Sequence, residues 1–250
     1  MLGDASLLIP DWPAPSRVRA VQTTRIGGVG QGAYAGFNLA THVGDHAASV
    51  AANRAALRSA LSLPAEPRWL EQVHGTQALQ LPAPGCNTAD AAWTAKAGEV
   101  CVVMTADCLP VLFCDEDGSC VAAAHAGWRG LVDGVLEATI AAMPVPASRL
   151  IAWLGPAIGP QAFEVGAEVR ERFVAIDSTA AQHFVAAADN KYDADIYALA
   201  RDRLRRADVQ RISGGGLCTV TDAARFFSFR RDHVCGRMAS LVWLTEATHN

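Results

Sequence analysis

The chain has 250 residues, 51% of them hydrophobic and 18% charged, with a formal net charge of -4. A composition this apolar excludes a disordered chain, and 21 lysines and arginines spread without a basic block leave no electrostatic footprint for nucleic acid. No apolar run approaches the ~18 residues of a membrane helix, the start MLGDASLLIP lacks the positive region of a secretory signal, and seven cysteines without paired spacing fit a reducing cytoplasm.

In chain order, residues 18–23 read as a strand that leads into a segment, 26–39, with glycines at 27, 28, 30, 32 and 36. This loop is the first candidate for ligand contact, with Tyr34 and Phe37 as rings for stacking and Arg25 at its edge. It lacks the G-K-[ST] of a phosphate-binding loop, and no helix plainly follows its last glycine as in a dinucleotide turn. Residues 47–62 predict a helix capped by Asp45 and stopped by Pro64. Short strands are expected at 68–73 and 78–81. Three continuous apolar runs follow at 99–105, 110–114 and 120–124, the pattern of strands covered on both faces.

A helix is predicted over 130–143, where Leu131, Val135, Leu136 and Ile140 form one stripe before Pro144. A strand at 149–154, helices at 167–176 and 195–207, and strands at 225–229 and 238–244 complete the chain. The alternation predicts one α/β domain over 1–250, with a mixed central sheet and flanking helices.

Three polar residues stand where apolar strands run out: His74 in EQVHG, Cys108 in TADCLP and His125 in AHAGWRG. In α/β sheets, ligands bind at strand ends, because loops there present side chains without disturbing the core. Two imidazoles and a thiolate form a soft donor set suited to zinc, and three protein ligands leave an open fourth position of the kind used in catalysis. Taken singly, each of the three is more often a structural residue, so the case rests on their convergence. Cys101, Cys114 and Cys120 lie inside apolar runs, where a thiol behaves as a small hydrophobe. His46, His183 and His249 read as solvent-exposed, His233 as a loop residue and His42 as a turn residue that could face a ligand. Arg25, Arg129 and Arg230, with Arg231 at the end of the 225–229 strand, are candidate grips for phosphate or carboxylate.

Together TTRIGGVG, FNLATHVGD, EQVHG, ADAAWT, TADCLP, AHAGWRG, GPAIGP, FFSFRRD and GRMAS resemble the YfiH-type proteins, also called the laccase-domain or polyphenol oxidase family, over about 17–244. The resemblance implies a YfiH-like, cysteine-hydrolase-type α/β fold with zinc, or possible copper, held by His74, Cys108 and His125. It implies a purine nucleoside phosphorylase that also deaminates adenosine and cleaves methylthioadenosine. The partners expected are a small-molecule nucleoside and phosphate, with the chain acting as a monomer. Arg25, Asn38, Asp107, Arg129 and Arg230 are the expected substrate-binding residues. Deamination also needs a proton shuttle at C6, for which Asp107 and Glu71 are candidates. An alternative implied by the family is amide hydrolysis on a peptidoglycan precursor, with Cys108 as thiolate and His125 as its partner. Another is polyphenol oxidation at several coppers, but that chemistry favours close H-x-H pairs, and the seven histidines here form none. A binding factor without turnover would leave the open three-ligand site unexplained.

Overall fold

Every residue of the strands Val100–Thr105, Leu109–Asp115, Val121–Ala126 and Met238–Leu244 is buried, which requires cover on both faces of their sheets. The computed structural model describes residues 2–246. Thirteen strands are present among them: β1 (Leu7–Leu8), β2 (Val18–Thr23), β3 (Ala78–Gln80), β4 (Ala91–Thr94), β5 (Val100–Thr105), β6 (Leu109–Asp115), β7 (Val121–Ala126), β8 (Leu150–Leu154), β9 (Glu164–Gly166), β10 (Phe184–Ala186), β11 (Lys191–Ala194), β12 (Arg211–Gly214) and β13 (Met238–Leu244). The helices are α1 (Ala47–Ala60), α2 (Trp128–Asp133), α3 (Val135–Ala142), α4 (Ala167–Ile176), α5 (Ile196–Arg206) and α6 (Phe229–Asp232).

The mixed α/β architecture with flanking helices is as expected, and its strands divide between two stacked sheets. A four-stranded antiparallel sheet runs β1-β2-β13-β5, and a six-stranded mixed sheet runs β12-β8-β6-β7-β4-β3. Only its edge pairs, β12 with β8 and β3 with β4, are parallel. Alternation along each strand feeds two different cores. In β5, Cys101 and Val103 pack with Leu112, Cys114, Val121 and Ala123 of the six-stranded sheet, while Val100, Val102 and Met104 pack toward Leu57 of α1. In β6, Val111 and Phe113 turn the other way, onto Leu131 and Leu136 of α2 and α3. The layers are therefore α1, sheet, sheet, helices. A three-stranded sheet, β10-β11-β9, lies beside α4.

The strands at 18–23 and 238–244 and the helix at 167–176 lie as expected, and Asp195 caps α5 by accepting the Ala198 N–H at 3.0 Å. Four expectations need correction. The helix predicted over 130–143 is broken at Gly134, whose φ of +101° closes α2 and starts α3. Residues 68–73 make only isolated bridges, at Arg68 and Glu71, because the Gln72 side chain takes over the pairing. Its Nε2 donates to Met104 O at 2.8 Å and its Oε1 accepts from Met104 N at 2.7 Å. The segment 225–229 turns instead of extending. Phe226 and Phe227 are buried, and Ser228 caps α6 by accepting the Arg231 N–H at 3.2 Å. Helix α1 starts from His46, while Asp45 accepts from the His46 N–H and from Asn38 Nδ2. His249 lies outside the described residues.

Candidate metal centre

Three segments deliver the donors. His74 stands on a turn with φ +59°, Cys108 follows Asp107 (φ +94°) at the start of β6, and His125 is the penultimate residue of β7, paired with Pro110. One donor atom from each of His74, Cys108 and His125 lies within 4.8 Å of the others. The two rings meet edge to face with centroids 4.8 Å apart. His125 is buried, Cys108 half-buried and His74 exposed, so the cluster opens to solvent on one side. Zinc bonds of ~2.0–2.3 Å at tetrahedral angles put donors about 3.3–3.8 Å apart, which falls inside the 4.8 Å bound on this cluster.

Gly127 keeps that space open. A Cβ there would come within 2.6 Å of His74 Nδ1 and 3.0 Å of Cys108 Sγ, although the backbone at φ −63° admits any residue. Gly130 likewise lets α2 lie against the His74 turn, since its Cβ would meet Gly75 O at 2.9 Å.

Asp90, in the ADAAWT segment, organises both imidazoles and has no part in the sequence-based site. Its side chain is fully buried and its Oδ1 lies 2.8 Å from His125 Nδ1. The same carboxylate accepts the backbone N–H groups of Val73 (3.2 Å), His74 (2.9 Å) and Gly75 (2.7 Å). With Nδ1 of His125 engaged there, Nε2 is the nitrogen left to face Cys108.

These contacts set the charges. Burial lowers the basicity of His125, but Cys108 and Asp90 more than reverse this and raise its pKa to about 9. Burial and the positive fields of His125 and Arg129 lower that of His74, against the opposing pull of Asp90. Burial pushes the Asp90 carboxyl up, yet the hydrogen bonds from His125, Gly75 and Val73 bring it below the usual carboxylate value. Without a metal, the arrangement therefore favours a protonated His125; with one, the ion replaces that proton.

The cluster lies in a cavity of about 570 Å³, within the ~300–1,000 Å³ common for small-molecule sites. Asp107, Arg129 and Arg230 line it, as do His42, Arg237 and the aromatic side chains of Trp128, Phe163 and Phe229. Asp107 pins the Cys108 turn: Oδ1 accepts from Thr219 Oγ1 and Oδ2 from Arg230 N, each at 2.6 Å. Arg230 sends its guanidinium to the carbonyls of Ala162 (3.3 Å) and Glu164 (3.1 Å). Arg129 stacks on Trp128 at 4.4 Å.

Two expected substrate residues lie outside the cavity lining. Arg25 donates to the carbonyls of Ala223 and Ala35 and stacks over Phe227, and Asn38 is buried, with Oδ1 accepting the N–H groups of Arg237 (2.9 Å) and Ala40 (3.0 Å). The glycine-rich loop also misses the cavity. Phe37 is in the core beside α1, and the Tyr34 hydroxyl holds Val43 O. Glu71, outside the lining as well, accepts from Thr88 Oγ1. Arg231 is used structurally, on Asp232 and the carbonyls of Thr219, Val220 and Phe226. His42 does face the cavity, and burial with Arg237 and Arg54 lowers its pKa. Arg237, anchored through Cys235 O (2.8 Å) and Gly236 O (3.0 Å), is a cavity cation that sequence reasoning missed. Its motif, GRMAS, carries no local sign that separates a cavity arginine from a surface one.

The family described as "Multi-copper polyphenol oxidoreductase laccase" matches residues 19–245. A Pseudomonas aeruginosa protein named purine nucleoside phosphorylase PA4543 is 53% identical over 240 residues, 96% of this chain and 98% of its own. Purine nucleoside phosphorylase YfiH of Escherichia coli K12 is 52% identical over 242 residues, 96% of this chain and 99% of its own. Among solved structures, protein NMB0706 of Neisseria meningitidis superposes with a TM-score of 0.93 at 49% identity, over 96% of this chain and 100% of that one. YfiH of Bacillus licheniformis superposes with a TM-score of 0.90 at 26% identity, over 98% of each chain. The donors form one three-residue cluster, and among the described residues no second is found, whereas oxidation at several coppers needs more.

Proposed function

Because the chain belongs to the laccase-like YfiH family, we propose that it is a zinc-dependent purine nucleoside phosphorylase that also cleaves methylthioadenosine and deaminates adenosine. The observation that carries this reading is the cavity itself, where an N,N,S donor cluster and the guanidinium groups of Arg129, Arg230 and Arg237 line one space. The names of the half-identical relatives narrow the substrate to purine nucleosides.

In this reading His74, Cys108 and His125 hold zinc, which supplies a Lewis acid to the site. Phosphate is gathered by Arg129 and Arg237, whose charge suits an oxyanion, with Arg230 adding field from its fixed position. A phosphate oxygen forms a bond to the ribose C1′ as the C1′–N9 bond breaks; its electron pair goes to the purine, which takes up a proton. Trp128, Phe163 and Phe229 offer the base apolar faces. Cleavage of methylthioadenosine is the same displacement on a thioether nucleoside. In deamination, water adds at C6 and ammonia leaves; Asp107, which lines the cavity, is the carboxylate that would move the proton on releasing one of its hydrogen bonds, and Glu71 lies outside the lining. Every group named comes from one chain, so a monomer suffices, and seven free thiols suit a reducing cytoplasm. Among the described residues no helix is long and apolar enough to cross a membrane.

A second reading is favoured by one alignment. Cys108, His125 and Asp90 follow one another as nucleophile, base and orienting acid, the order of a cysteine amidase. Product identification separates the two readings. Metal-loaded protein given inosine or adenosine with phosphate is expected to release the free base and ribose 1-phosphate, and chelated protein is not. If base release is absent and the chelated protein hydrolyses an amide of a cell-wall precursor, the amidase reading replaces the phosphorylase.

A further inference from the structure

We propose that Asp90 is the positioning residue of the metal centre, a single carboxylate that fixes His74 and His125 together so that one nitrogen of each meets the Cys108 sulfur. The inference rests on the metal-site reading above.

The two histidines reach the cluster by different routes, one on a turn and one on a strand, and only a shared anchor makes their separation constant. Asp90 is that anchor. Its Oδ1 receives both the His74 N–H and the His125 Nδ1–H, and its Oδ2 receives the N–H groups on either side of His74. Three successive N–H groups converging on one anion form a nest, which holds the backbone of His74 in a left-handed conformation that non-glycine residues seldom adopt. Asp90 also holds the His125 backbone, since its carbonyl accepts the His125 N–H at 2.7 Å. The bond to Nδ1 fixes the tautomer in which Nε2 carries the lone pair. Turn, ring orientation and tautomer thus depend on one side chain.

A buried aspartate that merely tied down a turn would affect folding and leave metal affinity alone. Asp115 is such a residue, with all its donors on residues 117–120, and serves as the control. Zinc affinity is measured by competition with a chromophoric chelator for the wild type, Asp90→Asn and Asp115→Asn, together with thermal melting. Asp90→Asn is expected to bind zinc about 10–100-fold more weakly, the usual effect of removing a partner of a ligating histidine, while Asp115→Asn stays within about twofold of the wild type. Equal affinity in Asp90→Asn and the wild type overturns the inference and leaves the metal reading in place. A wild-type protein that takes up no zinc overturns both. Should Asp90→Asn not fold, long-range ¹H–¹⁵N spectra of the zinc-loaded wild type decide instead. A proton on His125 Nδ1 supports the inference; a proton on Nε2 overturns it.

Discussion

The two ends of the β6–β7 ladder use one device for different purposes. At the hairpin end, the fully buried Asp115 collects the N–H groups of Asp117, Ser119 and Cys120 and the Ser119 hydroxyl. At the cavity end, the equally buried Asp90 collects three backbone N–H groups and an imidazole. The cysteines diverge with them. Burial and the nearby Asp115 push the thiols of Cys114 and Cys120 up to about 12, so they stay protonated packing groups. Cys108 instead faces an imidazole. A buried carboxylate by itself makes a stable turn; one that also grips an imidazole makes a centre for chemistry.

The sharpest way to break this contrast is to remove a donor. Cys108→Ala should lose bound zinc and more than about 100-fold of nucleoside phosphorolysis while melting near the wild-type temperature, measured by metal analysis, product assay and calorimetry. Retained turnover without metal would erase the distinction between the ends. Gly127→Ala tests the space itself. The added methyl is expected to weaken zinc by more than about tenfold with little change in stability, because the backbone there is ordinary and only the donors are crowded.

The hairpin end should show the reverse pattern. Asp115→Ala strands several buried donors and is expected to cost ~2 kcal/mol or more in denaturant unfolding, with zinc affinity unchanged. The pH signs differ too. Burial pushes the Asp115 carboxyl up, but its hydrogen bonds outweigh that and hold its folded pKa below the ordinary value. Its stabilisation is therefore present above the unfolded value and lost as pH falls through the folded one, so Asp115→Asn should have a flatter acid limb. His125 is raised instead, to about 9. In the metal-free protein its contribution is complete below the ordinary imidazole value and lost as pH climbs through about 9. Zinc must displace that proton, so affinity should strengthen with pH up to about the same point. The smallest effects concern the arginines. Arg129→Ala should raise the KM for phosphate about tenfold, the loss of one charge-assisted contact, whereas Arg25→Ala, outside the cavity, should move it by less than about threefold.

Legibility in the sequence followed how local each cause was. His74, Cys108 and His125 stood out because each interrupts or ends an apolar context beside a glycine or proline. Asp90 did not, since an acid before an alanine-rich strand looks like any turn residue, and its four donors come from segments distant in sequence. Arg25 and Asn38 were expected at the substrate because they lie in distinctive motifs, but those motifs build the turn that supports Arg237 and the core around Phe37. Strands such as 18–23 and 238–244 were readable from β-branched, apolar runs. Short or polar ones such as Lys191–Ala194 and Arg211–Gly214 form through pairing with neighbours that no local pattern reveals. Continuous apolar runs implied cover on both faces without saying whether a helix or a second sheet supplies it.

X-ray absorption at the zinc edge of the purified, metal-loaded protein addresses the centre most directly. One sulfur at ~2.3 Å and two imidazole nitrogens at ~2.0 Å are expected, with the sulfur lost in Cys108→Ala. A wild-type spectrum with no sulfur neighbour, or one unchanged by that substitution, would contradict a centre built from His74, Cys108 and His125.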